Sequence, residues 1–294
     1  MSSELPPTEA ENPQTVGLDA LDMQALLEVI VSDQRAAVDA VLAQTGPLAF
    51  AVDAIAARLD RGGRLHYVGA GTSGRIATLD AAEMPPTFGT PAKLVQAHVA
   101  GGPPALVNAI EGAEDDADAG DALARDCFHS NDAVIGLSAS GGAAFVVSAI
   151  ERARATGALT IALTSSASST LARTAEICVA FDTRAEVLAG STRLKAGTAQ
   201  KIALNAISSA VMVRLGKVHG NLMVDVVATN RKLRARALRL VQQIAGLDEA
   251  RARELLDAAG GNVKVAIVMD RQSVDARQAR SLLDRRGGVL RSLI

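Results

Sequence analysis

The stretch that most constrains this chain is Arg64-Leu65-His66-Tyr67-Val68-Gly69-Ala70-Gly71-Thr72-Ser73-Gly74-Arg75. A short apolar run ends in a turn that carries three glycines and two hydroxyl residues, and an Ala/Leu-rich, helix-like segment opens at Ile76. Strand, glycine turn and helix in that order aim backbone N–H groups and the positive end of a helix at an anion.

The same layout recurs downstream. Ala133–Leu137 is a continuous apolar run that ends in Ser138-Ala139-Ser140-Gly141-Gly142, and the pattern predicts a helix over 143–155. Leu65–Val68, Lys93–Val99, Leu159–Leu163 and Ile177–Phe181 read as the other strands. Strands alternating with helices specify a parallel sheet covered on both faces. Right-handed crossovers put the loops after the strands on one rim, where a ligand binds. Composition agrees: 49% of residues are apolar but only 2% aromatic, so the core is Ala, Val, Leu and Ile, as buried parallel strands require.

Around this core, residues 1–18 read as an extended arm, and Leu21–Leu42 and Pro47–Leu59 as two amphipathic helices. The pair Pro85-Pro86 predicts that the helix starting at Ile76 stops before it, leaving Glu83 at a helix end beside a loop. Ala105–Ile110 reads as helical. Ser191-Thr192 can cap a long helix that ends at Arg214, with Gly197 a weak point near its start. Residues 217–229 connect to a helix over Lys232–Ile244. Leu247–Val268 reads as helix, Gly260-Gly261-Asn262, helix, and looks like a small three-helix module of the ubiquitin-associated type. The expected division is an arm with helices over 1–60, a core domain over 61–230 and a helical region over 231–294.

Several function classes drop out. Formal net charge is −2, and the basic run Arg231–Arg239 has the spacing of a solvated helix face, so no nucleic-acid partner is expected. The first residues lack a basic start and an apolar segment, and no helix is long and apolar enough to span a bilayer; a cytoplasmic protein with no membrane partner is expected. Cys127 and Cys178 lack metal-ligand spacing and read as buried thiols of a reducing compartment. His66 lies in an apolar strand, and His98, His129 and His219 have no ligand spacing, so no metal is expected. No G-x-S-x-G elbow is present.

Gly69, Gly71 and Gly74 match G-x-G-x-x-G, but the next strand ends in Val99-Ala100-Gly101 with no acid to hold a ribose. No Lys follows Gly74, which excludes a nucleotide P-loop. The turn offers hydroxyls instead. Thr72 and Ser73 at one strand end, with Ser138 and Ser140 at another, can satisfy a phosphomonoester together with backbone N–H groups and without a metal. Three carboxylates stand out beside them. Glu111 and Glu114 are three apart and share a face if the turn is helical; two carboxylates in one pocket can divide into acid and base when their environments separate their pKa values.

Five blocks together resemble the N-acetylmuramic acid 6-phosphate etherase family. They are Gly69–Arg75, Leu79–Gly89, Glu111–Asp116, Gly190–Lys201 and Gly216–Asp225, and the likeness runs from Thr8-Glu9 and Asn12-Pro13 to the helical tail. The resemblance implies an α/β fold of the sugar isomerase (SIS) type. That is a three-layer α-β-α sandwich with a five-stranded parallel sheet, here followed by a small C-terminal helical module, acting as a homodimer. It implies cleavage of the D-lactyl ether of a sugar-phosphate substrate, with no metal or cofactor. By motif, Glu83 corresponds to the proton donor and Glu114 to the second catalytic glutamate. Thr72, Ser73, Ser138 and Ser140 would hold the 6-phosphate and Glu111 would touch the sugar. A non-catalytic sugar-phosphate sensor on the same fold, like the glucokinase regulatory protein, is the alternative. Three departures stand out. Gly142-Ala143-Ala144-Phe145 replaces a common Arg-Thr-Pro-Tyr, Thr183-Arg184-Ala185-Glu186 departs from a usual Gly-Pro-Glu or Gly-Ala-Glu, and Met84 replaces a frequent Cys.

Overall fold

The computed structural model describes residues 8–226 and 231–294. Two compact units emerge: the described residues up to Ala82 with Lys93–Ser208, and Glu83–Ala92 with Ser209–Ile294.

The first unit opens with helices α1 (Met23–Asp33), α2 (Arg35–Leu42) and α3 (Thr45–Asp60). The single helix expected over Leu21–Leu42 is therefore two, broken at Gln34. The sheet is β1 (Leu65–Gly69), β2 (Val95–Val99), β3 (Ala133–Leu137), β4 (Leu159–Thr164) and β5 (Ile177–Ala180), all parallel, in the order β2-β1-β3-β4-β5. Every residue of β1, β3 and β4 is buried, which is why their sequences do not alternate. Helices α4 (Gly71–Phe88), α5 (Ala117–Cys127), α6 (Ala144–Ala155) and α7 (Thr170–Thr174) lie in the crossovers, and α8 (Lys195–Arg214) follows β5. One apolar cluster joins Val68, Val134 and Ala162 to Phe128, Phe145, Val146, Ile150 and Leu171, so α6 and α7 cover that face with the end of α5. On the other face, to which Tyr67 points, the Tyr67 hydroxyl donates to Asp80 of α4 at 2.9 Å. Asp80 also accepts from Asn205 at 2.6 Å and Ser208 at 3.1 Å, which ties α4 to α8 through a buried carboxylate.

Four expectations need correcting. First, α4 does not stop at the prolines: Pro85 and Pro86 lie inside it and it runs to Phe88. They fall in its last turn, where Gly89 N–H still donates to Pro85 at 3.0 Å, so only the bonds from the two proline nitrogens are lost. Glu83 thus stands within a helix. Second, Ala105–Ile110 is not a helix; the segment makes only a 3-10 turn over Pro103–Leu106. Third, Ser191-Thr192 do not cap α8. Its first amides, Lys195 and Ala196, each donate at 2.9 Å to the carboxylate of Glu186, a residue 1% exposed. A carboxylate at that end also suits the helix dipole. Fourth, the described part of the arm is not extended. Residues 13–15 and 18–20 form 3-10 turns, and the arm straps the segment before α8, with Thr15 donating to Val187 at 3.0 Å and Gly190 N–H to Thr8 at 3.1 Å. Arm residues 1–7 lie outside the described residues.

Arg184 has φ of +58°, a conformation glycine adopts freely and other residues resist. Cys127 and Cys178 are half-buried rather than buried, and burial raises both thiols above their ordinary pKa.

The second unit holds a two-stranded hairpin, β6 (Val218–His219) and β7 (Leu222–Met223), then α9 (Arg231–Ala245), α10 (Glu249–Ala258), α11 (Val263–Gln272) and α12 (Ala276–Arg285). Residues 227–229 of the expected connection lie outside the described residues. The tail module extends one helix beyond Val268, and α9 to α12 share one apolar core. Lys264, 5% exposed, donates to Gly216 at 2.9 Å and Gly288 at 2.8 Å and pairs with Asp225 at 2.9 Å, so all three of its N–H donors are used. No single helix among the described residues is long and apolar enough to cross a membrane.

Candidate active site at the ends of β1 and β3

The sheet order places β1 beside β3, with Gly69 in register with Leu137, while β2 lies on the other side of β1. The chain winds one way from β1 and the other way from β3, and a parallel sheet opens its ligand crevice where the winding reverses. Both hydroxyl loops leave from that point.

In the first loop each glycine has a steric reason. A Cβ on Gly69 would lie 2.7 Å from the nitrogen of Gly74, and one on Gly74 would lie 2.9 Å from the oxygen of Gly69. Gly71 takes φ of +52°. The tight turn starts α4 within two residues of β1, so the amides of Gly71, Thr72 and Ser73, which precede any intrahelical acceptor, face outward from its amino end. Thr72 is half-buried, and Ser73 is buried at 9% exposure. The Ser73 hydroxyl donates to Oε1 of Gln200 on α8 at 2.8 Å.

In the second loop Ser138 is buried and Ser140 exposed. Ser138 Oγ accepts from Gly141 N–H at 3.0 Å, and Ser140 Oγ accepts from Gly142 N–H at 3.3 Å. Gly141 has φ of +70°, and a Cβ there would meet Ser169 Oγ at 2.2 Å. The helix that follows, α6, has Ala143 as its N-cap, and that side chain makes no capping bond. The Arg-Thr-Pro-Tyr departure thus falls on a helix N-cap, where Thr would serve and Ala does not.

Glu111 and Glu114 lie in the segment after β2, both exposed. Gly112 adopts the left-handed conformation and Ala113–Asp115 form a 3-10 turn, so Glu114 is in the turn and Glu111 precedes it. The expected shared helical face is not formed. The segment is anchored, however. Arg75, the last residue of the glycine loop block, donates from Nε to Leu106 O at 3.2 Å and from Nη2 to Asn108 O at 2.9 Å. Ala113 packs against Gly101. Glu83 is exposed on α4. Among the described residues no group of His, Cys, Asp and Glu is placed to hold a metal ion. A cavity of about 610 Å³ lies elsewhere, under the arm, between Asn12, Leu26, Ile30 and Val187.

Sequence reading did not single out Gln200, Arg75 or Asp80. All three lie in blocks that carry the family likeness, but nothing local shows that Gln200 meets Ser73, 127 positions away.

The sequence matches the glucokinase regulatory protein N-terminal SIS domain over residues 47–154 and the SIS domain over residues 117–210. Among solved structures, a candidate phosphosugar isomerase involved in capsule formation from Bacteroides fragilis superposes with a TM-score of 0.50 at 24% identity, covering 64% of this chain and 91% of that one. This supports the SIS fold alone. The N-acetylmuramic acid 6-phosphate etherase of Deinococcus radiodurans is 47% identical over 98% of this chain and 94% of its own length. That of Thermobifida fusca is 49% identical over 89% of this chain and 86% of its own. Identity at that level over nearly the whole of both chains shows that the chain belongs to the N-acetylmuramic acid 6-phosphate etherase family.

Proposed function

We propose that this protein cleaves the D-lactyl ether of N-acetylmuramic acid 6-phosphate, giving N-acetylglucosamine 6-phosphate and D-lactate, in the recycling of peptidoglycan amino sugars. The observation that carries this is the near full-length match to etherases. The site geometry supports it: two loops that carry hydroxyl side chains stand side by side at the β1/β3 switch point.

In this reading the 6-phosphate sits on Thr72, Ser73, Ser138 and Ser140, with Glu111 at the sugar. The open-chain aldehyde at C1 acidifies the C2 proton. Glu114 removes that proton, the C3–O bond breaks with its electrons moving to the ether oxygen, and Glu83 protonates that oxygen so that lactate leaves. Water then adds across the C2=C3 bond, its hydroxyl to C3 and a proton to C2. The balance is a net hydrolysis that needs no redox partner. The division of labour we propose puts this chemistry in residues 61–230, with the arm and tail regions supporting it. Exposed apolar residues on α1 to α3 and the preceding turn, among them Val16, Met23, Leu27, Val31, Leu42 and Phe50, favour a homodimer. We place the enzyme in the cytoplasm, where its phosphorylated substrate would be found.

Release of D-lactate from N-acetylmuramic acid 6-phosphate by the purified protein is the test. A sensor related to the glucokinase regulatory protein draws some support from the match over residues 47–154 and from the altered loop at Gly142. It predicts a sugar-phosphate-dependent rise in melting temperature with no lactate released.

A further inference from the structure

The pair Ser73–Gln200 contains a mismatch that points to a switch. A hydroxyl has one proton. Ser73 donates its own to Gln200 Oε1 at 2.8 Å, so this hydroxyl can then only accept. A sugar phosphate is largely dianionic at neutral pH and offers only acceptors. In this arrangement Ser73 cannot bond to the phosphate through its hydroxyl. Gln200 is 1% exposed, and its Nε2 is buried with no partner among the described residues. An unpaired buried N–H donor is a costly state and a rarer one than an under-used carbonyl oxygen.

One movement removes both defects. A half-turn of the Gln200 amide about its last torsion exchanges Oε1 and Nε2. Nε2 then donates to Ser73 Oγ, and the Ser73 proton is released toward the mouth of the loop. Gln200 sits one turn along α8 from Gly197, where a Cβ would make ordinary contact with Thr72 Cγ2 at 3.5 Å and Ile76 Cδ1 at 3.6 Å, so this part of α8 packs against the start of α4.

We propose that Gln200 is a positioning residue for the phosphate subsite: when the anion binds, its amide turns to donate to Ser73 Oγ, and Ser73 donates to the phosphate. Gln200 does not touch the substrate; it acts through the serine. This rests on the etherase reading for the identity of the anion, but its test does not need turnover.

The experiment is a double-mutant cycle on the full chain, with binding of N-acetylglucosamine 6-phosphate and of inorganic phosphate read by calorimetry. Gln200→Met keeps the shape and removes both hydrogen-bonding atoms. It should weaken binding of both ligands about tenfold, the equivalent of ~1.4 kcal/mol. In a Ser73→Ala background the same substitution should change binding less than twofold, because the group it works through is gone. For turnover, KM should rise with kcat nearly unchanged. Equal losses in the two backgrounds, or wild-type affinity in Gln200→Met, would overturn the assignment. If Gln200→Met does not fold, Gln200→Glu replaces it. Its carboxylate can only accept from Ser73, so binding at pH 8 should fall at least tenfold, and wild-type binding would overturn the proposal. Lactate release by the unmodified protein is measured alongside. Its absence with an intact cycle would reject the etherase reading and leave the switch standing.

Discussion

The carboxyl ends and the amino ends of the same strands carry polar groups of opposite kinds. At the carboxyl rim, Thr72, Ser140, Glu111 and Glu114 are half-buried or exposed. Near the amino ends of β1 and β3, the buried His66 and Asp132 gather with the half-buried Arg64 and His98. His66 Nδ1 and His98 Nε2 are 3.0 Å apart, and their rings stack with Phe128 alongside. Asp132 takes Arg64 side chain and backbone N–H groups at 2.9 and 2.8 Å and the His129 N–H at 2.9 Å. Burial works against its charge, but those bonds, led by the Arg64 guanidinium, outweigh it and hold the carboxyl below its ordinary pKa. Burial lowers both histidines to about 4, helped at His66 by His98 and at His98 by Arg64. A search for perturbed titrating groups would select this cluster, yet it lies outside the β1/β3 crevice. Groups locked by mutual bonds shift their pKa values and cannot move; Thr72, Ser140, Glu111 and Glu114, which we propose meet the substrate, stay open. Perturbation here marks architecture.

The contrast can be broken from either side. The largest expected effect is on the proposed chemistry: Glu114→Ala or Glu83→Ala should lower lactate release at least 1,000-fold, on the scale of lost general acid–base catalysis, with melting unchanged. Full turnover in both would reject the mechanism. Asp132→Ala should do the reverse, retaining the kinetics of the folded fraction while costing about 3 kcal/mol in urea unfolding, because it removes the buried carboxylate that accepts from the Arg64 side chain and from the Arg64 and His129 backbone. Acid should act on the same cluster. The folded histidines titrate near 4 and the unfolded ones near 6.5. The unfolded state therefore binds more protons between those values, and stability is lost as pH falls from 6.5 toward 4. At 1.36 kcal/mol per pH unit, each histidine contributes on the order of a few kcal/mol to that loss. A His66→Phe variant that kept the whole acid slope would remove this account. The smallest effects are gains of about 1 kcal/mol each. Arg184→Gly should relieve the left-handed residue, and Ala143→Thr should restore the cap of α6; melting curves read both.

Much of this was legible in the chain itself. The five strands fall within two residues of the runs of apolar side chains, and β3 matches its run residue for residue. The glycine loops, their hydroxyls and their adjacency at the rim follow from alternation and crossover handedness. These are consequences of local pattern: strand period, turn chemistry and helix capping act over a few residues, and a sequence displays them directly.

What the tertiary structure alone decided depends on partners far apart in sequence. Local rules stop α4 at two prolines, but the helix runs through them to Phe88. Ser191-Thr192 looks like a cap, but the Glu186 carboxylate reaches the helix end first. Nothing local marks Asp80, yet it is the knot that joins β1, α4 and α8. Ser73 looks like a free phosphate ligand, but its proton is held by Gln200. In each case a buried polar group had to find its hydrogen bond wherever packing brought a partner, and packing is set by the whole fold.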